Sequence, residues 1–185
     1  MKFRYSIIFL FSTSLILSCS STKKSAVVKN TPPGEITSTV VIRKEVPAVF
    51  INTKNVNAVE VVRFAKTCLG VPYKYASTDK AKGFDCSGFI NYVFNHFDIA
   101  VPRISWQFTN AGTEVSLKNS EPGDLILFTG SDANSGIVGH MGIITENNEG
   151  NIKFIHASTS KGVVISSMNN YYIPRFVKVN RIFFK

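Results

Sequence analysis

The chain has 185 residues, of which 44% are hydrophobic and 18% charged, and its formal net charge is +9 at pH 7. Most of this charge lies near the N-terminus, because residues 1–19 carry +2, residues 20–55 carry +4 and residues 56–185 carry +3. No stripe of basic residues alternates with aromatic residues, so the composition argues against nucleic-acid binding.

Residues 1–18 have the pattern of an export signal peptide. Two basic residues precede an apolar run over residues 7–17, which is too short to span a bilayer. The stretch 16–19 (ILSC) resembles the lipobox of bacterial lipoproteins. We therefore expect cleavage before Cys19 and lipidation of this residue.

Acyl chains such as palmitate on Cys19 would anchor an exported domain to a bacterial membrane. Ser20 at the next position favours the outer membrane, with the domain facing the periplasm. An ordinary secretory signal or an uncleaved anchor is the alternative. Residues 19–55 are expected to form the lipidated N-terminus and a flexible basic tether, with one short strand at 38–42.

Residues 56–185 have the composition and length of one compact domain. The apolar periodicity of residues 59–66 predicts an amphipathic helix that ends near Leu69 and Gly70, since Pro72 prevents its continuation. Cys68 on this helix is expected to be a small buried hydrophobic residue. A disulfide with Cys86 is the alternative.

A cysteine stands where a loop turns into a second helix, in the stretch 84–89 (FDCSGF). Asp85 is suited to cap that helix, and apolar residues follow at helical spacing. The unpaired backbone N–H groups and the dipole of the helix N-terminus favour the thiolate of Cys86. We therefore predict that Cys86 is an activated nucleophile.

The apolar pattern changes from helices to strands after residue 120. Runs of β-branched, aromatic or leucine residues, separated by Gly, Asn or Ser, occupy residues 125–128, 140–145, 152–158, 162–166 and 177–184. Because helices come first and strands second, the order predicts an α+β fold with helices packed on one face of an antiparallel sheet.

Two histidines fall on neighbouring predicted strands. If Glu146 pairs with Gly150, His140 lies directly opposite His156, with Cβ atoms roughly 4.5–5.5 Å apart on one face. A cysteine nucleophile needs a base, and that base needs an orienting group, so we assign His140 as base and His156 as orienter. Either could instead be structural. His96 is expected to be solvated or to interact with a helix C-terminus.

Four ordered motifs carry a family resemblance: 84–89 (FDCSGF), 123–128 (GDLILF), 139–144 (GHMGII) and 154–158 (FIHAS). Together they resemble the NlpC family of papain-like cell-wall cysteine peptidases. The resemblance implies a papain-like fold and a Cys86–His140–His156 triad that needs no metal or cofactor. It also implies hydrolysis of peptidoglycan stem peptides, at D-glutamyl to diamino acid bonds or at the cross-link.

The resemblance also implies further site residues. Tyr73 matches a tyrosine that helps to form the oxyanion site, with Tyr75 as the competing assignment. The stretch 102–105 (PRIS) resembles a substrate-facing segment of the family. We expect the free carboxylates of a stem peptide to be bound by Arg103, bidentately, and by Asp85, Ser87 and Ser105.

Three alternatives stay open. A zinc site could use Cys86, His140, His156 and Cys68, although the close ligand pairs of common zinc motifs are missing. A lipid-directed acyltransferase or amidase could use a related Cys/His fold. A non-catalytic cell-wall-binding lipoprotein is disfavoured, because all three triad residues are present.

Overall fold

Two helices precede the main sheet. The computed structural model describes residues 47–184, in which α1 spans Ala58–Lys66 and α2 spans Cys86–Asn95. Asn57 caps α1 by accepting a hydrogen bond from the backbone N–H of Val59, and α1 ends at Lys66, a few residues before the predicted end near Leu69 and Gly70. The predicted signal peptide, Cys19 and the strand at 38–42 lie outside the described residues.

The described end of the predicted tether packs on the domain. Val49 forms a parallel bridge with Ala111, and Ile51 is buried in the hydrophobic core. The boundary at residue 56 stays a prediction. Within residues 47–184, no helix has the length and apolarity needed to cross a membrane.

The strands after α2 form an antiparallel sheet of order β3-β8-β4-β5-β6-β7. Its strands are β3 Thr113–Val115, β4 Leu125–Thr129, β5 Val138–Asn148, β6 Asn151–Ser158, β7 Gly162–Ser167 and β8 Phe176–Arg181. A small pair, β1 Thr78–Asp79 and β2 Gly83–Phe84, precedes α2. The predicted α+β class is confirmed, with papain-like helices before an antiparallel sheet.

The main sheet separates two groups of buried side chains. Successive side chains of β4 point to opposite faces of the sheet. The two helices pack on the face that carries Leu127. The other face carries Phe128 and Phe154 and is covered by Tyr172 from the segment before β8. His140 pairs with Phe128 and shares this second face.

The hairpin between β5 and β6 differs from the prediction. Asn148 pairs with Asn151, so Glu149 and Gly150 form a two-residue loop with φ of 52° and 94°. Two positive φ values define a type I′ turn, whose twist suits a hairpin. A bulge at Thr145 then shifts the pairing by one residue.

These two features move His140 relative to His156. Ile143 pairs with Ile155, so Gly142 lies beside His156, and a Cβ placed on Gly142 would lie 3.1 Å from the Cβ of His156. The predicted direct opposition of the two histidines is therefore wrong. Because the slip equals two residues, both imidazoles nevertheless stay on one face as diagonal neighbours.

Candidate active site

Cys86 is the first residue of α2 and lies where this helix meets the start of β5. The predicted cap is confirmed, since Oδ1 of Asp85 accepts a 2.6 Å hydrogen bond from the backbone N–H of Gly88. The Cys86 sulfur lies 3.2 Å from the Ser105 hydroxyl and 3.7 Å from the carbonyl oxygen of Gly139, which directly precedes the predicted base.

A glycine lets the start of α2 pack against the preceding loop. A Cβ on Gly88 would lie 2.0 Å from the carbonyl oxygen of Ser77, a distance that no side chain could tolerate. The same carbonyl accepts a 3.1 Å hydrogen bond from the backbone N–H of Asp85. The loop therefore fixes the helix start on which the sulfur is carried.

The Cys86 thiol is held in its neutral form. Only 9% of the residue is exposed, and burial raises the pKa of Cys86. The Ser105 hydroxyl lowers this pKa, and the charge of Asp85 raises it further. The lowered pKa that we predicted from the helix dipole is therefore wrong, because desolvation outweighs it.

Asp85, Ser87 and Arg103 form one hydrogen-bonded group beside Cys86. Arg103 donates from Nη2 to Oδ2 of Asp85 at 2.6 Å, and from Nη1 to Oδ1 at 3.0 Å. Its Nη1 also donates to the Ser87 hydroxyl at 2.9 Å. The carboxylate of Asp85 thus occupies both terminal nitrogens of the guanidinium and neutralises its charge, so the predicted bidentate binding of a substrate carboxylate needs revision. Arg103 holds the helix cap instead.

His140 and His156 form a hydrogen-bonded pair, with Nε2 of His140 2.8 Å from Nδ1 of His156. His156 is fully buried and His140 half-buried. Burial lowers the pKa of His140 to about 4. Burial, together with the neighbouring His140, lowers the pKa of His156 to about 3. Both rings are therefore neutral near pH 7, and Nδ1 of His140 remains for a proton from the thiol.

His156 has two further partners that sequence reasoning missed. Its Nε2 lies 3.0 Å from the Ser166 hydroxyl and 3.1 Å from the Tyr172 hydroxyl. If Nδ1 of His140 is to accept a proton, the proton of the neutral His140 ring must be on Nε2, which donates it to Nδ1 of His156. The neutral His156 ring then carries its proton on Nε2. Each hydroxyl has lone pairs that can accept this N–H, so the surroundings of His156 are compatible with that tautomer.

One cavity of about 570 Å³ is lined by Cys86, His140 and His156. Tyr73 lines it as well, and its pKa is raised first by burial and second by the negative charge that the nearby Cys86 carries when it ionises. Tyr75 is 82% exposed and lies outside the lining of this cavity. The structure therefore brings Tyr73 to the nucleophile, while its role at an oxyanion stays a prediction.

Among residues 47–184, the other cysteine and the other histidine lie outside the lining of this cavity. Cys68 is fully buried, and neither it nor Cys86 is in a disulfide. His96 caps the C-terminus of α2 and stacks on Phe64 with ring centroids 3.6 Å apart. In residues 47–184, no group of three His, Cys, Asp or Glu side chains is placed to hold a metal ion. The zinc alternative thus lacks a ligand set there.

The profile of the NlpC/P60 family matches residues 70–181, a span that includes Cys86 and both histidines of the pair. The chain belongs to the NlpC/P60 family. The family resemblance of the four sequence motifs is thereby confirmed.

Two curated relatives of this NlpC/P60 chain come from Escherichia coli (strain K12). "Probable endopeptidase NlpC" is 40% identical over 115 residues, which is 61% of this chain and 70% of the relative. "Murein DD-endopeptidase MepS/Murein LD-carboxypeptidase" is 39% identical over 115 residues, which is 61% of this chain and 56% of the relative. The match thus spans little more than half of the second relative.

A solved structure of an NlpC/P60 family protein from Bacillus cereus has the same fold. It superposes with a TM-score of 0.61 at 28% sequence identity, over 75% of this chain and 42% of the Bacillus chain. The described domain thus corresponds to less than half of that longer protein.

Proposed function

We propose that this NlpC/P60 protein is a cysteine-type peptidoglycan endopeptidase that hydrolyses amide bonds in murein stem peptides. The observation that carries the proposal is a single cavity lined by the thiol of Cys86 and by the hydrogen-bonded pair His140–His156. The names of the two Escherichia coli relatives, an endopeptidase and a murein endopeptidase, support the substrate class.

Acylation begins from a neutral thiol and a neutral imidazole. Nδ1 of His140 takes the proton of Cys86 as the sulfur attacks the carbonyl carbon of the scissile amide. The new C–S bond leaves an oxyanion, which the backbone N–H groups at the start of α2 and the Tyr73 hydroxyl stabilise. His156 accepts the Nε2–H of His140 and keeps the charged ring oriented.

Collapse of the tetrahedral intermediate breaks the C–N bond. His140 returns the proton to the departing nitrogen, so the product is a free amine and the acyl group stays on Cys86 as a thioester. Water then attacks the thioester while His140 acts again as base. The second product is a carboxylic acid, and the thiol is restored.

Substrate recognition involves the polar residues around the nucleophile. Asp85 and Arg103 neutralise each other, so this group presents an ion pair and the hydroxyls of Ser87 and Ser105 rather than a free positive charge. We assign to these four residues the positioning of the acyl part of the stem peptide. The candidate bonds are the D-glutamyl to diamino acid bond and the cross-link.

We also propose a location for the enzyme, which the pattern of the N-terminal sequence supports. Lipidation of Cys19 would tether the domain, through residues 19–55, to the outer membrane with the active site facing the periplasm. Metabolic labelling with a fatty-acid analogue tests this assignment, because a Cys19→Ala variant should lose the label.

Mass spectrometry of purified muropeptides tests the reaction itself. The full chain should cleave them, its Cys68→Ala variant should behave like the parent, and Cys86→Ala should leave them intact. The masses of the fragments identify the bond. Cleavage that survives Cys86→Ala would contradict the cysteine mechanism. No cleavage by the folded, reduced parent would favour a cell-wall-binding or lipid-directed role.

A further inference from the structure

Two buried polar atoms stand out because they have no hydrogen-bond partner. Among the described residues these are Oγ1 of Thr129 and Nε of Arg175, and both residues line the catalytic cavity. Buried polar groups in folded proteins are almost always paired, so each exception needs an explanation. Their occurrence in one cavity points to a polar ligand that enters there.

Arg175 is held rigidly without being neutralised. Nη1 donates to the carbonyl oxygen of Tyr171 at 2.9 Å, and Nη2 donates to that of Ser131 at 3.2 Å. The guanidinium carbon lies 4.0 Å from the centre of the Tyr171 ring. Two carbonyl groups and an aromatic face orient a cation, but they supply no negative charge.

The other arginines between residues 47 and 184 all have a carboxylate partner: Arg63 with Glu60, Arg103 with Asp85, and Arg181 with Asp124. Across the same residues, Arg175 has no acidic side chain within ion-pair distance. A half-buried charge without a counter-ion is costly unless a ligand supplies one.

The rest of the cavity has the same charge preference. Lys161 is the second cation in its lining, which also includes several serine and threonine hydroxyls and contains no aspartate or glutamate. A pre-oriented guanidinium beside hydroxyl groups, without a competing acid, is suited to a carboxylate.

The sheet places this cation on a defined side of the catalytic pair. Phe128 pairs with His140 on one side and with Phe176, the residue after Arg175, on the other. Two strand spacings, roughly 10 Å, therefore separate the backbone of His140 from that next to Arg175. His140 protonates the departing nitrogen, so the residue that carries this nitrogen lies beside His140. The backbone next to Arg175 is two strand spacings away from that position.

We infer that Arg175 binds a free carboxylate on the residue that leaves with the new amine, an inference that rests on the proposed function. The chemistry selects a diamino acid with a carboxylate at the far end of its side chain, such as 2,6-diaminopimelate. Lysine lacks only that carboxylate. Arg175 would then distinguish the two stem-peptide types.

Binding to the full chain carrying Cys86→Ala tests this assignment without turnover. Two synthetic peptides, D-γ-glutamyl-diaminopimelate and D-γ-glutamyl-lysine with identical remaining groups, are titrated by calorimetry. We expect the first to bind at least about tenfold more tightly, as a charge-assisted hydrogen bond predicts. Adding Arg175→Gln should remove the preference and leave the affinity for the lysine peptide unchanged.

Matched variants show whether the preference depends on the charge of Arg175 or on the structure of its side chain. Arg175→Lys should keep part of the preference, and Arg63→Gln, which removes one positive charge far from the cavity, should keep all of it. Equal affinity of the two peptides for the Cys86→Ala chain would overturn the assignment. So would a preference that survives Arg175→Gln, or an equal loss of affinity for both peptides.

The reaction is tested separately with the parent chain. If the parent cleaves either peptide but the Cys86→Ala chain shows no binding preference, the endopeptidase stands and the carboxylate site fails. If the parent cleaves neither these peptides nor the purified muropeptides while the preference depends on Arg175, the carboxylate site stands and the endopeptidase fails.

Discussion

Cys86 lies between two sets of polar residues that differ in how they are paired. The helix group consists of Asp85, Ser87, Arg103 and Ser105, and the sheet group consists of Thr129, His140, His156 and Arg175. In the helix group, Asp85 and Arg103 form an ion pair at 2.6 Å, and the hydroxyls of Ser87 and Ser105 each have a hydrogen-bond partner. In the sheet group two polar atoms have none.

The difference indicates that the helix group has a structural role and that the sheet group takes part in the reaction. The helix group is complete without substrate, so it fixes the start of α2 and with it the position of the sulfur. The sheet group is incomplete, since its histidines are kept neutral by burial and its arginine lacks a counter-ion. Groups that must receive a proton or a ligand remain available on the sheet side.

The largest expected effect is at the sulfur between the two groups. Cys86→Ser keeps the size of the side chain and a hydrogen bond to Ser105, so the helix group should stay intact. Because a hydroxyl is far harder to ionise than a thiol, kcat/KM for muropeptide cleavage should fall on the order of 1,000-fold or more. Cys68→Ser is the control and should retain activity. A loss below tenfold would contradict the nucleophile assignment.

Removing the acid of the helix group should cost stability. Asp85→Ala deletes the cap of α2 and leaves Arg103 without its partner, so the free energy of unfolding in urea should fall by about 2 to 3 kcal/mol. Asp79→Ala removes an exposed carboxylate paired with Lys82 and should lower the free energy of unfolding much less. Equal losses in the two variants would mean that the helix group does not stabilise the fold.

The sheet group should make stability depend on pH. The pKa of His140 is about 4 and that of His156 about 3, whereas an unfolded histidine titrates near 6.5. Below about pH 6.5 the unfolded chain gains protons that the folded chain does not, so stability falls as pH falls, by up to about 1.4 kcal/mol per pH unit for each histidine. Urea unfolding between about pH 7 and pH 5 measures this slope.

His156→Gln provides the comparison for that experiment. It removes one of the two buried imidazoles, so the dependence of stability on pH should become shallower. A parent protein whose stability is flat over the same interval would show that burial does not hold the pair neutral.

The smallest expected effect comes from removing the Tyr172 hydroxyl next to Nε2 of His156. Tyr172→Phe keeps the ring that covers the sheet and removes one acceptor for the Nε2–H of His156. We expect kcat to fall about three- to tenfold with KM unchanged, because Ser166 remains as the second acceptor. The acid limb of the pH–rate profile should shift as well. Tyr92→Phe, outside the cavity, should alter neither quantity.

Local signals in the sequence were sufficient for the helix side of the site. The cap at Asp85 and the position of Cys86 depend on neighbouring residues, and both agree with the structure. The shared face of His140 and His156 was predictable from strand alternation, even though their register was not. The turn error changes the register by three residues and the bulge at Thr145 takes one of them back, so the net slip of two preserves the face.

Other features depend on contacts between distant segments. Ser166 and Tyr172 reach His156 from β7 and from the segment before β8, and neither lies in a motif that marks it. The raised pKa of Cys86 arises from burial, which a dipole argument on one helix does not include. The pairing of Arg103 with Asp85 likewise joins two separate stretches of the chain.

The neutral, buried sulfur also determines how the resting enzyme meets oxidants and alkylating agents. Peroxides and iodoacetamide react with thiolates, and Cys86 is 9% exposed with a raised pKa, so little thiolate is available for such damage near neutral pH. Cys68 is fully buried, and its pKa is likewise raised by burial. A protein that works without reducing agents would thereby keep its nucleophile intact between substrates.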